Sequence, residues 1–220
     1  MTQDAPGSEG GDAPDVVRHA VLLGDALENI YLGPEDPETA LVPRPRNPWK
    51  LTVVPPEQVL RGAPVRAIPA DASHIAISLD GGWAVEASGL LRREACSIHE
   101  ALETLAVAAD EFEAIFSCLV TAALETGLPT AVCTLVPARF PEPSQQRASA
   151  SALAIFNERI ERRACTARLP IVDLRLICDE DADYASETLL SRGGARKVAN
   201  VVRTAFYEIW RSGGRPRVFF

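Results

Sequence analysis

His19-Ala20-Val21-Leu22-Leu23-Gly24-Asp25-Ala26-Leu27-Glu28-Asn29 decides the fold. An apolar run that stops at Gly-Asp and passes into a polar segment is how a buried parallel strand delivers its carboxyl end to a site. In open α/β sheets ligands bind outside those carboxyl ends, where the strand order reverses, and the first strand lies beside that crevice. The function is therefore sought just after Leu23.

Outward from this stretch the chain alternates strand and helix signals. Strands are predicted at residues 18–23, 49–54, 74–79 and 129–136, with a fifth inside 169–178. A long helix is predicted from Ser97 to Gly127, with Ser97 and Glu100 as a capping box and Ile98, Ala101, Leu102, Leu105, Ala109, Phe112, Phe116, Leu119 and Val120 on its apolar face. A second covers residues 144–167, with Leu153, Phe156, Ile160 and Ala164 inward, and a third covers 194–211. Asp80-Gly81-Gly82-Trp83 reads as a turn, and a short helix is expected near residues 57–67. Prolines at 34, 37, 43, 45 and 48 make residues 33–48 a long loop across the carboxyl edge. Such alternation implies right-handed crossovers and an α/β domain: a five-stranded parallel sheet covered by helices on both faces.

Residues 1–17, rich in Gly, Pro, Asp and Ser, read as a disordered leader, 18–212 as the domain and 213–220 as a tail. The tail ends in Phe219-Phe220, which could dock on a partner or on the chain's own surface. The 220 residues suffice for one core, and no apolar run is long enough to span a bilayer. With no basic-then-apolar leader, a cytoplasmic location is expected. A net charge of −8 argues against nucleic acid and anionic membranes as partners. Cys96, Cys118, Cys133, Cys165 and Cys178 form no Cys-x-x-Cys pair and read as reduced, mostly buried thiols; neither a metal nor a cofactor is expected.

Several words in this order carry a resemblance. They are Val21-Leu22-Leu23-Gly24-Asp25, Ile77-Ser78-Leu79-Asp80-Gly81-Gly82, Pro129-Thr130-Ala131-Val132-Cys133-Thr134 and Phe156-Asn157-Glu158-Arg159-Ile160. Later come Asp173-Leu174-Arg175-Leu176-Ile177-Cys178 with Ala182-Asp183-Tyr184-Ala185, and Gly194-Ala195-Arg196-Lys197-Val198-Ala199. From His19 to about Val202 the chain resembles the SGNH/GDSL hydrolases, a serine esterase and lipase family. The resemblance implies a three-layer α/β/α, flavodoxin-like fold with strand order 2-1-3-4-5. It also implies a serine after Gly-Asp, a late Asp-x-x-His, and oxyanion donors from that serine's N–H, a glycine N–H after the second strand and an asparagine after the third.

Carried onto this chain, the serine position is Ala26, the glycine Pro55, the asparagine Gly82, the aspartate Ser186 and the histidine Leu189. Alanine cannot attack a carbonyl, proline has no N–H, and no histidine follows His99. A degenerate, non-hydrolytic site is expected. The inherited crevice, with Asp25, Ala26, Asp80, Gly82, Trp83 and Leu189, would bind a small acyl- or ester-like ligand or a protein partner. The alternatives are repurposed acid/base chemistry on Asp25, Asp80 or Glu28, and a residual esterase or acyltransferase. Other candidate residues have an ordinary structural reading beside the functional one. Cys178 could be a displaced nucleophile or a buried thiol, Cys133 reads as core, and His99 is a base or a surface helix residue. Trp83 lines the pocket or packs on the loop. Asp179, Glu180, Asp181 and Asp183, with Asp25 and Asp80, could hold Mg²⁺, but an acidic run is more often a solvated surface.

Overall fold

The computed structural model describes residues 18–24, 49–56, 58, 68–87, 96–212 and 217–220, without the side chains of Trp83, Glu86, Ala87, Trp210, Arg211 and Ser212. The expected leader, the long loop, Asp25, Ala26 and most of the helix near residues 57–67 lie outside the described residues. The elements are β1 (Arg18–Leu23), β2 (Trp49–Val54), β3 (His74–Ile77), α1 (Gly81–Ala87), α2 (Ile98–Glu125), β4 (Thr130–Cys133) and α3 (Pro143–Thr166). They continue with β5 (Ile171–Val172), α4 (Leu174–Ile177), a 3-10 turn (Asp181–Asp183), α5 (Arg192–Ser212) and β6 (Val218–Phe219).

The strands form one sheet in the order β2-β1-β3-β4-β5-β6, with every neighbouring pair parallel. The predicted order holds, with one strand added. Val218 and Phe219 pair with Ile171 and Val172, so this part of the expected tail docks on the chain's own sheet. Phe219 packs into the core on the α5 side, which gives the tail its apolar anchor.

Alternation within each strand separates two helical layers. Val21, Leu23, Ile75 and Ile77 pack with Phe112, Phe116, Phe156 and Ile160 of α2 and α3. Ala20, Leu22, Ala76 and Val172 pack with Val198, Val202 and Phe206 of α5. Side chains at successive strand positions point to opposite faces, so a strand buried on both sides is apolar throughout. Among the described residues no helix is long and apolar enough to cross a membrane.

Four local readings change. Asp80-Gly81-Gly82-Trp83 is not a turn but the start of α1, because an Asp80 Oδ1 accepts from Gly82 N at 2.9 Å and Asp80 O accepts from Ala84 N at 3.1 Å. This is an N-cap, which a search for Gly-Gly turn words overlooks. Ser97 does cap α2, accepting from Glu100 N, but Glu100 reaches back to Cys96 N rather than to Ser97 N. At the same helix end Ile98 and Leu102 are 81% and 59% exposed, so the buried stripe begins only at Ala108 and Ala109. Finally, Cys96, Cys118 and Cys165 are exposed and only Cys133 and Cys178 buried; none is disulfide-bonded. The three exposed thiols sit just before α2 and on α2 and α3, where the thiol volume is not needed to fill the core.

Candidate functional site

Parallel pairing puts the carboxyl ends of β1 to β5 on one edge. Gly24 ends β1 there: its N–H donates to Val54 O at 3.0 Å, and Ser78 N donates to Leu23 O at 3.0 Å. Gly24 has φ +133°, and a Cβ on it would lie 1.8 Å from Ser78 O, so only glycine fits. Pro55 follows β2, and Asp80 to Gly82 follow β3, on this same edge. Ser78 is buried beside Cys133, whose thiol burial pushes up to about 12 despite the Ser78 hydroxyl.

The segment before α5 covers the next part of the edge. Tyr184 and Leu190 form an antiparallel bridge, and Leu189 O accepts from Ala185 N at 2.8 Å and Ser186 N at 3.3 Å. This closes a tight turn. Arg139 N pins it from the β4 side by donating to Glu187 O at 2.7 Å. On the β3 side, a Cβ on Gly82 would come within 2.7 Å of the Thr188 side chain. The structure thus brings Gly82 against the turn that contains Ser186 and Leu189. Leu189 itself is 48% exposed.

Beside this turn lies an open groove of about 710 Å³ lined by Arg139, Phe140, Gln146, Tyr184, Ser186 and Glu187, with Pro141, Asp181 and Ala185. Among the described residues, Ser186 of the family positions and Asp181 of the acidic run line it. Gln146 fixes one wall: its Oε1 accepts from Phe140 N at 2.7 Å and its Nε2 donates to Ala138 O at 2.9 Å. Arg139 stacks 5.2 Å above the Tyr184 ring and donates to Asp179 O at 2.6 Å, while Tyr184 OH donates to Cys178 O at 2.9 Å. Burial raises the Tyr184 phenol to about 12 and, with the Asp183 carboxylate adding to it, the Cys178 thiol to about 12 as well. Cys178, at the C-terminus of α4, is therefore held as an inert thiol. Arg139, Phe140, Gln146 and Tyr184 carry no motif; only their contacts across the fold identify them.

The acidic run is not uniformly solvated. Asp183 is 2% exposed and pairs with Lys197 Nζ at 2.9 Å, while Glu180 meets the same ammonium at 3.0 Å. The Asp183 and Glu180 carboxylates hold Lys197 above its ordinary value. Asp183 O also accepts from Ser191 N at 2.7 Å, and Ser191 Oγ accepts from Gly194 N at 3.2 Å, so the run anchors the start of α5. Among the described residues no group of three or more His, Cys, Asp and Glu side chains could hold a metal ion.

Of the histidines, His99 is exposed in the first turn of α2. His19 and His74 are buried at the opposite, amino-terminal half of the sheet. Neither can serve the carboxyl edge.

No protein-family model matches the sequence, and no curated protein does. Solved structures do match in shape. An acetyl xylan esterase, AlAXEase, superposes with a TM-score of 0.58 at 13% identity over 85% of this chain and 98% of its own. Phospholipase A1 from Streptomyces albidoflavus NA297 gives 0.56 at 11% identity over 87% and 99%. The extracellular lipase from Streptomyces rimosus gives 0.51 at 13% identity over 89% and 99%. The similarity extends across nearly the whole of each of these chains, and the fold of this protein is that of the SGNH/GDSL hydrolases.

Proposed function

We propose that this chain is a non-hydrolytic protein on the SGNH fold that binds a small acyl- or ester-like ligand in the groove at the carboxyl edge. The observation that carries this is the turn from Ser186 to Leu189. At the positions where the resemblance implies an acid and a base, it offers a serine and a half-exposed leucine whose carbonyl is engaged in closing the turn. Ala26 supplies no hydroxyl and Pro55 no N–H. Loss of the nucleophile and base leaves at best the ~10³–10⁴-fold that binding and an oxyanion hole supply, and two of the hole's donors are absent too.

The groove suits a ligand with a short apolar body and one polar end: Phe140 and Pro141 supply the apolar wall, Arg139 and Ser186 the polar one. A net charge of −8 favours this over nucleic acid or an anionic membrane. Three exposed thiols without disulfides suit the reducing cytoplasm.

The test has two measurements. Sustained hydrolysis of p-nitrophenyl acetate is expected at protein background; turnover above 1% of a typical kcat of ~10 s⁻¹, abolished by Tyr184→Ala, overturns the loss of esterase activity. Titration with butyrate and methyl butyrate, followed by the amide resonances of residues 184–190, is expected to shift those signals in wild type and not in Arg139→Ala. Shifts identical in both proteins overturn the groove assignment.

A further inference from the structure

A hydroxyl, an imidazole and a carboxylate come together at the outer β2 edge of the sheet. The turn at residues 69–72, closed by Ala72 N donating to Pro69 O at 3.0 Å, precedes β3, and Ser73 N donates to His19 O at 2.8 Å. This carries Asp71 to His19 on β1, and the parallel register sets Thr52 of β2 beside the same ring. Thr52 Oγ1 lies 2.8 Å from His19 Nε2, and Asp71 Oδ1 lies 2.9 Å from His19 Nδ1. The second Asp71 oxygen meets Lys50 Nζ at 3.0 Å.

Exposure gives the arrangement direction. The imidazole is 1% exposed, whereas the Asp71 and Lys50 side chains are 62% and 53% exposed and Thr52 is half-buried on the edge strand. A buried ring thus joins a hydroxyl near the surface to a carboxylate in water. A carboxylate beside Nδ1 favours the tautomer protonated there, which leaves the Nε2 lone pair for the Thr52 hydroxyl proton. The Nδ1 contact is close but off the hydrogen-bond axis, so Asp71 acts through its charge. Misaligned contacts of this kind are common in unliganded sites. Lys50 keeps Asp71 ionised, its hydrogen bond lowering the carboxyl despite the opposing cost of burial.

We propose that Thr52 is a reactive hydroxyl that takes an acyl group from activated esters, with His19 as its general base and Asp71 as the positioning residue. In the step, a bond forms from Thr52 Oγ1 to the ester carbonyl carbon as the hydroxyl proton passes to His19 Nε2. The bond from that carbon to the alkoxy or aryloxy oxygen then breaks, and the leaving oxygen takes the proton back from His19. The products are O-acyl-Thr52 and one equivalent of alcohol or phenol. Hydrolysis of the acyl-threonine would need a water beside Nε2, and the imidazole is 1% exposed, so the reaction stops after one equivalent. A single equivalent, at a site distant from the groove, separates this from the sustained turnover tested above.

The experiment treats the full chain with p-nitrophenyl acetate and follows acetylation by intact mass and peptide mapping. One acetyl group on Thr52 is expected, lost in Thr52→Val and retained or faster in Thr52→Ser. His19→Gln, with folding checked by circular dichroism, is expected to slow labelling of Thr52 by about 100-fold, the usual range for a general base. Where His19→Gln does not fold, the wild-type pH profile decides: the Thr52 rate should rise and then plateau once the imidazole is neutral, and Asp71→Asn should lower that plateau. Acetylation confined to lysines or the amino terminus overturns the proposal. So does a Thr52 rate indifferent to His19→Gln, or one that climbs tenfold per pH unit without a plateau.

Discussion

Acid should unfold this protein partly through His74, and His74→Phe should remove that part. The ring is 5% exposed, edge-on to Trp49 at 5.0 Å and tilted against Phe206 at 5.1 Å, and its Nε2 has no hydrogen-bond partner among the described residues. Burial, with the Arg18 guanidinium adding to it, holds its pKa down at about 4 against an ordinary 6.5. Between those values the unfolded chain takes up a proton that the folded chain refuses, so stability rises with pH across this window. The contribution is fully present above about 6.5 and is lost as pH falls towards 4. At 1.36 kcal/mol per pH unit, going from pH 7.5 to pH 4.5 costs about 2.5 kcal/mol through this one group. Urea unfolding at both pH values, for wild type and His74→Phe, measures it. The contact of His74 Nδ1 with Ser73 Oγ at 3.0 Å is lost in the variant at both pH values and cancels in the difference. Wild type should lose about 2.5 kcal/mol more than His74→Phe. Equal losses in the two proteins would refute the reasoning, and would mean that the ring is hydrated or that Arg18 moves away from it.

Other substitutions probe the carboxyl edge. Gly24→Ala places a methyl 1.8 Å from Ser78 O at φ +133° and should cost more than about 3 kcal/mol in urea midpoint analysis, because the nearest atom is backbone. Asn157→Leu orphans Leu135 N, which now donates to Asn157 Oδ1 at 2.7 Å in the core, and should cost about 1–3 kcal/mol by the same assay. Ala26→Ser alone should give no sustained esterase turnover, because a hydroxyl without a base and with degenerate donors gains almost nothing. A more than hundredfold gain in the sustained p-nitrophenyl acetate rate would show that a working base stands near residue 26.

The sheet was legible because burial on both faces forces apolar runs. Arg18–Leu23 and Trp49–Val54 begin and end where the sequence predicts them, and the order β2-β1-β3-β4-β5 follows from the resemblance. The sixth strand was not legible. Val218-Phe219 is too short to show a period, and its place depends on the edge of β5 being open to it. The exposure of Ile98 and Leu102 shows the converse failure: helical spacing records which face is apolar, not how far the neighbouring layer extends beneath it.

Site legibility divides in the same way. Motif spacing placed Gly82 near Ser186 and Leu189; it could not show that the Thr188 side chain, between those two in sequence, fills the place where a residue-82 side chain would begin. An asparagine at position 82 would have its Cβ 2.7 Å from Thr188, so restoring the donor in sequence alone would drive it into the turn pinned by Arg139 and Glu187. The turn and the glycine are complementary: the Thr188 side chain stands where a residue-82 side chain would begin. His19, Thr52 and Asp71 stand at the other extreme: 33 residues separate the first two, and no motif joins them. Only the parallel register of β1 with β2 and the turn before β3 bring the three groups together, so a hydroxyl, a base and a carboxylate can meet through strand pairing with no motif in the sequence to announce them.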